Sequence, residues 1–171
     1  MEASVNLSRR GFFRAKASAR QFLRPPWAQP ETGFLAACTR CNACIDVCPT
    51  GIVMRGDGGF PEIDFLRGEH ECTFCHECVD ACTPKALQDQ PGGVAWQNVA
   101  VISETCLAWA GVVCRTCGDI CEAGAIRFHP QVGQAARPAV DLSICTGCGA
   151  CVAPCPNHAV RISAENHEVM K

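Results

Sequence analysis

The chain has 171 residues, a formal net charge of −2 and sixteen cysteines. Its length allows one ordinary domain or two very small ones. The near-neutral charge gives no support to a nucleic-acid-binding protein. The high cysteine content dominates the composition, and it indicates an architecture that is built on either disulfides or metal sites.

The chain begins with a basic segment. Residues 3–30 contain no acidic residue, and six of the fifteen lysines and arginines lie there: Arg9, Arg10, Arg14, Lys16, Arg20 and Arg24. We therefore predict an N-terminal arm over residues 1–30 whose cations bind an acidic surface. Charge alone leaves open whether that surface belongs to a partner protein or to the acidic remainder of this chain. Binding to RNA or to a membrane surface fits less well, because the arm lacks a clean amphipathic face.

The arm also carries a short stretch that looks like an export signal, Ser8-Arg9-Arg10-Gly11-Phe12-Phe13. Basic residues interrupt every apolar run behind it, so the hydrophobic region of roughly 7–15 residues that export requires is missing. No apolar run approaches the roughly 18 residues of a membrane-spanning helix. We therefore expect a cytoplasmic protein without membrane insertion, in a reducing compartment where metal sites are favoured over disulfides.

The sixteen cysteines fall into four groups of four, which we number as motifs one to four. They are Cys38, Cys41, Cys44 and Cys48; Cys72, Cys75, Cys78 and Cys82; Cys106, Cys114, Cys117 and Cys121; and Cys145, Cys148, Cys151 and Cys155. Motifs one, two and four read C-x2-C-x2-C-x3-C, the spacing with which bacterial ferredoxins hold [4Fe–4S] clusters. The sequence therefore predicts four such clusters, with all sixteen cysteines as iron ligands.

Other uses of the cysteines fit this pattern less well. Structural zinc sites with four cysteines normally use two C-x2–4-C pairs that are well separated in sequence. A zinc-binding interaction scaffold is therefore a minority alternative. A disulfide framework lacks a secretion signal to support it. Sixteen is four times four, so no thiol is left over for catalysis.

The third motif departs from the common spacing. Seven residues, 107–113, separate Cys106 from Cys114, where the other motifs have two. Either this loop is extended and Cys106 still ligates, or the site has three cysteines and its cluster is incomplete or labile. We favour ligation, because Cys106 would otherwise be the only idle cysteine in the chain.

The spacers between the motifs reveal an internal repeat. Between motifs one and two, two short apolar stretches at 51–54 and 60–64 flank a glycine-rich turn, and stretches at 125–128 and 138–142 repeat this pattern between motifs three and four. We predict an α+β fold of two tandem bacterial-type dicluster ferredoxin units, with small β-hairpins and short helices around the clusters, over residues 31–95 and 96–171. Because units of roughly 60–75 residues are marginal for an apolar core, ligation must contribute much of the folding energy. Residues 91–103 are predicted to link the units.

The repeat also suggests which cysteines share a site. In two-cluster ferredoxins the fourth cysteine of each run ligates the other cluster. Pairing motif one with two, and three with four, gives site one (Cys38, Cys41, Cys44, Cys82), site two (Cys72, Cys75, Cys78, Cys48), site three (Cys106, Cys114, Cys117, Cys155) and site four (Cys145, Cys148, Cys151, Cys121). A nested arrangement, one with four and two with three, stays open as the alternative.

Several stretches together resemble the NapF family, the ferredoxin-type accessory proteins of periplasmic nitrate reductase systems. They are the basic start at Ser8-Arg9-Arg10-Gly11, Arg24-Pro25-Pro26-Trp27, Cys38-Thr39-Arg40-Cys41, and the stretched third motif from Cys106-Leu107-Ala108 to Cys114-Arg115-Thr116-Cys117. The resemblance implies a cytoplasmic protein that binds the catalytic nitrate reductase subunit before its export. It also implies a role in maturing that subunit, through its iron–sulfur cluster or its redox state.

The residues themselves indicate a carrier of electrons with a protein redox partner. No carboxylate pair, Ser–His–Asp set or glycine-rich phosphate loop is present, so we do not expect an enzyme. Two hypotheses remain. One is an assembly factor that donates cluster material or reducing power to an immature partner; the other is a general electron-transfer subunit of a membrane or soluble oxidoreductase complex.

Overall fold

A computed structural model describes residues 22–89 and 93–163. Short elements dominate it. The helices are α1 (Glu31–Ala37), α2 (Ala43–Asp46), α3 (Glu77–Asp80) and α4 (Thr116–Asp119), with a 3-10 turn at Asp57–Gly59. The strands are β1 (Val53–Arg55), β2 (Pro61–Ile63), β3 (Val99–Ile102), β4 (Ile126–Gln131), β5 (Gln134–Val140) and β6 (Val160–Ser163). The predicted α+β class is confirmed.

Both predicted hairpins are present, one in each repeat. Strands β1 and β2 pair antiparallel with Val53 opposite Ile63, and the turn between them is the glycine-rich 3-10 segment. Strands β4 and β5 form the longer hairpin, with Ile126 opposite Val140. Each hairpin lies between two cysteine motifs and turns the chain back on itself, so that the second motif of a unit meets the first.

A third strand pair corrects the prediction for residues 91–103. Residues 99–102 of this predicted link form β3, which pairs antiparallel with β6 in the register Val99 to Ser163 and Ile102 to Val160. The second unit is thus closed by strands from its two ends. The first unit has a smaller counterpart, a single antiparallel bridge between Ala28 and Leu87.

Residues 23–29 of the predicted arm pack against the first unit. The carbonyl of Leu23 accepts a hydrogen bond from Ile63 N–H at 2.7 Å, and Trp27 N–H donates to the Ala95 carbonyl at 2.6 Å. The side chains of Pro25 and Pro26 are almost fully buried. Residues 1–21 of the arm lie outside the described residues.

The two units have unequal apolar cores. The core of the first unit contains Phe34, Ile52 and Leu87, all less than 3% exposed. The core of the second is built largely from small side chains and cysteines, with Ile126 and Val160 as its larger members. Burial of aliphatic and aromatic side chains therefore stabilises the first unit more than the second. None of the helices in the described part of the chain has the length and hydropathy needed to span a bilayer.

Candidate metal centres

Four small cavities are each lined by four cysteines. The four sets are the predicted ones: Cys38, Cys41, Cys44 and Cys82 at site one; Cys48, Cys72, Cys75 and Cys78 at site two; Cys106, Cys114, Cys117 and Cys155 at site three; and Cys121, Cys145, Cys148 and Cys151 at site four. Each cavity receives three thiols from one motif and the fourth from the other motif of the same unit. The structure thus brings the cysteines together in the tandem arrangement, motif one with motif two and motif three with motif four.

The backbone on either side of the second cysteine adopts a left-handed conformation in three of the four motifs. In motif one the residues on either side of Cys41, Arg40 and Asn42, have φ of 59° and 69°. The left-handed region is unfavourable for side chains of this size and costs of the order of 1–3 kcal/mol per residue. Successive N–H groups in such a turn form a concave site for an anion. An all-thiolate iron–sulfur cluster is such an anion, so the loop fits it.

The same conformation recurs at the same positions of two further motifs. Phe74 and His76 flank Cys75 with φ of 53° and 73°, and Gly147 and Gly149 flank Cys148 with φ of 70° and 89°. Motif three breaks the pattern, because Arg115 after Cys114 has φ of −129°. The stretched spacing of motif three therefore changes the backbone around its second cysteine as well.

Backbone donors also reach the cysteine sulfurs of these cavities directly. The N–H of Leu87 lies 3.3 Å from Cys82 Sγ, that of Ala100 lies 3.4 Å from Cys145 Sγ, and that of Ala159 lies 3.2 Å from Cys155 Sγ. Hydrogen bonds to ligand sulfurs stabilise the negative charge there and tune the reduction potential of a cluster. The sequence motifs gave no signal for these donors, because each lies outside the cysteine spacing.

The Cys48 sulfur has its own set of donors. Burial raises the pKa of this thiol, but the Thr50 hydroxyl, 3.6 Å from Sγ, and the N–H groups of residues 51–53 outweigh burial, so the pKa lies below its usual value. Sequence analysis did not identify Thr50. A Ser or Thr two residues after a ligating cysteine is the signal that could have found it.

Several other cysteine thiols are buried close to one another, so their thiolate forms need a cation between them. Burial, together with the charges of neighbouring cysteines, raises the pKa of Cys44, Cys78 and Cys151 to about 12. Burial and neighbouring cysteines act likewise on Cys117, whose pKa is raised to about 11. Four thiolates in one small cavity repel one another unless positive charge lies between them. Iron supplies that charge when a cluster is bound.

The thiols stand around a volume and do not converge on one point. Within residues 22–89 and 93–163, no three His, Cys, Asp or Glu side chains come close enough together to hold a metal ion. A tetrahedral zinc site needs all four sulfurs about 2.3 Å from one centre. A cubane, which carries an iron at each of four separate corners, suits the wider spacing.

Site three includes Cys106 despite the long loop. Cys106 and Ala108 are buried, and the Cys106 carbonyl accepts hydrogen bonds from the N–H groups of Trp109 and Ala110. The Asn157 amide, two residues after Cys155, donates to the carbonyl of Thr105. These contacts fold the loop back so that Cys106 joins the other three thiols of the site. The loop leaves Val113 82% exposed.

Arg24, the one arm cation among the described residues, contacts the first unit. Its guanidinium bonds the Glu31 carboxylate at 2.7 Å and lies 3.6 Å from Glu62, a buried carboxylate. The guanidinium also lies 4.9 Å from the ring centre of Phe34, within cation–π range. For this residue the contacts match the alternative in which the arm folds onto its own chain. Arg9, Arg10, Arg14, Lys16 and Arg20 lie outside the described residues.

Comparison with protein families gives two matches in tandem. A family described as "4Fe-4S dicluster domain" matches residues 37–87, and a second of the same description matches residues 112–167. The first match contains all eight cysteines of motifs one and two. The second begins after Cys106, in agreement with the unusual position of that residue. Two dicluster domains with sixteen cysteines account for four [4Fe–4S] clusters.

Curated relatives cover nearly the whole chain. A "Ferredoxin-type protein NapF" of Haemophilus influenzae is 44% identical over 169 residues, covering 92% of this chain and 94% of the relative. The protein of the same name from Escherichia coli K12 is 41% identical over 157 residues, covering 91% and 94%. A "Methylamine utilization ferredoxin-type protein MauM" of Methylophilus methylotrophus is 35% identical over 154 residues, covering 81% of this chain and 68% of the relative.

Proposed function

Because this chain belongs to the NapF family of ferredoxin-type proteins, we propose that it is a cytoplasmic accessory protein that passes electrons to an immature redox partner and has no catalytic activity of its own. The observation that carries the proposal is the set of four cavities with four thiols each. All sixteen cysteines are used in these cavities. The chain is therefore equipped to hold four redox centres.

The four cysteines at each cavity are the proposed iron ligands. Site one is held by Cys38, Cys41, Cys44 and Cys82; site two by Cys72, Cys75, Cys78 and Cys48; site three by Cys106, Cys114, Cys117 and Cys155; and site four by Cys145, Cys148, Cys151 and Cys121. When bound, the clusters supply one-electron oxidation and reduction. The role of the chain is to keep the ligand loops rigid, to exclude bulk water and to present N–H donors to the sulfurs.

The proposed partner is the catalytic subunit of a periplasmic nitrate reductase, met before its export. This assignment rests on the family resemblance, and the charge of the arm supports it. Five arm cations, Arg9, Arg10, Arg14, Lys16 and Arg20, are the proposed contacts with an acidic surface of that partner. Arg24 is the sixth cation of the set, and its bond to Glu31 ties the end of the arm to the first unit.

A binding experiment tests the partner and the arm together. The five arm cations are replaced by glutamine, and the matched control replaces the four arginines by lysine, which keeps the charge. Binding to the purified, iron-free catalytic subunit is measured by anaerobic titration at low and high salt. We expect the glutamine variant to lose at least tenfold in affinity and the lysine variant to keep it, since charge and not side-chain shape carries the contact. If both variants bind the partner equally well, the positive charge of the arm does not contribute to the partner-binding site.

Donation of cluster material is a second candidate function, and the build of site three favours it. Only this site has the long 107–113 loop, the altered backbone at Arg115 and a strongly exposed Val113 beside its ligands. A site supported by such a loop opens more easily than one supported by tight turns. Iron-57 labelling distinguishes the two functions. A pure electron carrier keeps its label after incubation with the iron-free partner, whereas a donor transfers about four iron atoms per chain from site three.

A further inference from the structure

The two units meet at the ligand loops of sites two and four. The N–H of Cys72, the first ligand of motif two, donates a hydrogen bond of 2.8 Å to the carbonyl of Cys148, the second ligand of motif four. A main-chain hydrogen bond thus joins a ligand of one unit to a ligand of the other. Within the second unit, the Trp96 indole N–H donates to the Thr146 carbonyl of motif four at 2.8 Å, which holds the Trp96 ring beside this contact.

The glycines of motif four show that this contact is built into the loop. Gly147 and Gly149 have φ of 70° and 89°, but the equivalent residues of motif one, Arg40 and Asn42, adopt the same left-handed conformation with full side chains. Backbone conformation alone therefore does not require glycine here. Close approach does require it. A Cβ on Gly149 would lie 2.1 Å from the Phe65 ring of the first unit, and one on Gly147 would lie 2.2 Å from the carbonyl oxygen of Asn98, which belongs to the second unit.

Aromatic side chains of both units pack together at the contact. Phe65 is buried, and its ring packs edge-on against Trp96 with centroids 6.3 Å apart. Trp96 makes a similar contact of 5.7 Å with Phe74, which lies between two ligands of site two. A single packed group therefore runs from the site-two loop through Trp96 and Phe65 to the glycines of site four.

We propose that this group, which we name the inter-unit junction (Phe65, Trp96, Gly147, Gly149 and the Cys72–Cys148 hydrogen bond), carries electrons between the units and makes sites two and four the inner pair of a linear series. Within the units, Cys44 of site one and Cys78 of site two pack in the same apolar core, and Cys117 of site three and Cys151 of site four pack together in another. The series therefore runs one, two, four, three. Sites one and three are its ends.

The electron balance across the inter-unit junction is simple. One electron leaves the group held at site two, which is oxidised, and enters the group held at site four, which is reduced; the reverse direction is equivalent. No bond forms or breaks. An external one-electron donor protein and an acceptor protein act at the two ends. This inference rests on the proposed function, because it assumes that the sites hold redox centres.

The test is the electron paramagnetic resonance spectrum of the fully reduced holoprotein. Two reduced clusters that lie close together broaden and split each other's signals, and the effect weakens steeply with distance. Gly149→Ala places its methyl group against Phe65, so we expect the variant to retain full iron content but lose part of the broadening. Gly133→Ala is the matched control, since Gly133 has φ of 67° with open space around it; its spectrum should equal that of the wild type.

A double variant distinguishes two causes of a changed spectrum: a clash across the inter-unit junction and local backbone strain at residue 149. Phe65→Ala combined with Gly149→Ala removes the ring that the new methyl group meets, so we expect the broadening to return toward the wild-type value. Trp96→Phe, which loses the donor to Thr146 without altering a ligand loop, should weaken the broadening in the same direction. If Gly149→Ala fails to hold iron, Trp96→Phe serves as the test in its place.

The outcomes distinguish this inference from the proposed function. A wild-type spectrum from an iron-complete Gly149→Ala variant, or from Trp96→Phe, overturns the inter-unit junction while leaving the redox function intact. A double variant that keeps the altered spectrum of Gly149→Ala also overturns it, because the cause is then strain at Gly149. A holoprotein that cannot be reduced to a paramagnetic state overturns the proposed function, and the inter-unit junction with it.

Discussion

The two dicluster units share one arrangement of ligands but differ in what supports it. In the first unit, a core around Phe34, Ile52 and Leu87 backs both sites. In the second, cysteines and small residues form much of the core, and the loop before Cys114 carries exposed apolar side chains. The comparison teaches that the cysteine spacing does not determine how strongly a site is held. We expect site one to be the most firmly held and site three the least.

Removal of iron should give the largest difference between the units. Anaerobic chelation deprives both units of ligation energy, which is a large part of the folding energy of small metal-binding domains. We expect β3 and β6 of the second unit to lose all hydrogen-exchange protection, and residues around Ile52 and Leu87 to keep some. Hydrogen-exchange mass spectrometry of holoprotein and apoprotein measures this. An earlier or larger loss of hydrogen-exchange protection in the first unit than in the second would contradict this expectation.

Phe34→Ala should weaken the first unit strongly. Phe34 is fully buried, and truncation of a buried phenylalanine costs about 3–5 kcal/mol. We expect the urea midpoint for loss of visible absorption to fall clearly for sites one and two. Leu35→Ala, its neighbour in α1 with a 41% exposed side chain, serves as the control and should change the midpoint little. Similar shifts for both variants would show that α1 does not anchor the core through Phe34.

Arg24→Gln should have a moderate effect on the same unit. The substitution removes the ion pairs of Arg24 with Glu31 and with the buried Glu62 carboxylate. Loss of a hydrogen bond to a charged group of this kind costs about 1–3 kcal/mol. Arg40→Gln is the control, because Arg40 is exposed and its contacts within the described residues are a long hydrogen bond, 3.5 Å to the Gly58 carbonyl, and a cation–π contact of 5.3 Å with Phe60. Thermal bleaching of the clusters measures the loss of stability in both variants.

Trp109→Ala should have the smallest effect on stability. Trp109 lies in the long loop of the second unit, is 46% exposed, and meets Arg137 at 5.1 Å. An exposed cation–π contact contributes only about 0.5–1 kcal/mol. We expect thermal bleaching to stay within a few degrees of the wild type while transfer of labelled iron from site three changes at least twofold. A large loss of stability would show that the loop supports the unit more than its exposure indicates.

The sequence predicted the parts of this fold whose signals are local. The cysteine spacing predicted the four ligand sets that the structure brings to its cavities, and alternating apolar residues beside a glycine-rich turn predicted the first hairpin. Each of these signals is carried by residues that lie close together in the sequence. The pairing of motifs followed because each hairpin joins two motifs of one unit.

Features that depend on distant residues escaped prediction. The run Val99–Ile102 reads as an apolar linker, because its partner strand begins at Val160 and no turn connects the two. The packing of residues 23–29 depends on Ile63 and Ala86, which the basic composition of the arm does not reveal. Gly147 and Gly149 read as small spacers between ligands. Only the close approach of Gly149 to Phe65 shows that this loop also forms an interface with the first unit.

We propose that each of the four sites is closed by four cysteines, Cys106 included. The most direct measurement is iron and acid-labile sulfide per chain in anaerobically purified wild type, Cys106→Ser and Cys114→Ser. We expect about sixteen of each in the wild type and about twelve in both variants. A Cys106→Ser variant that keeps all the iron of the wild type would contradict ligation by Cys106. A wild type with about twelve iron atoms, or with zinc in place of iron, would contradict the claim as a whole.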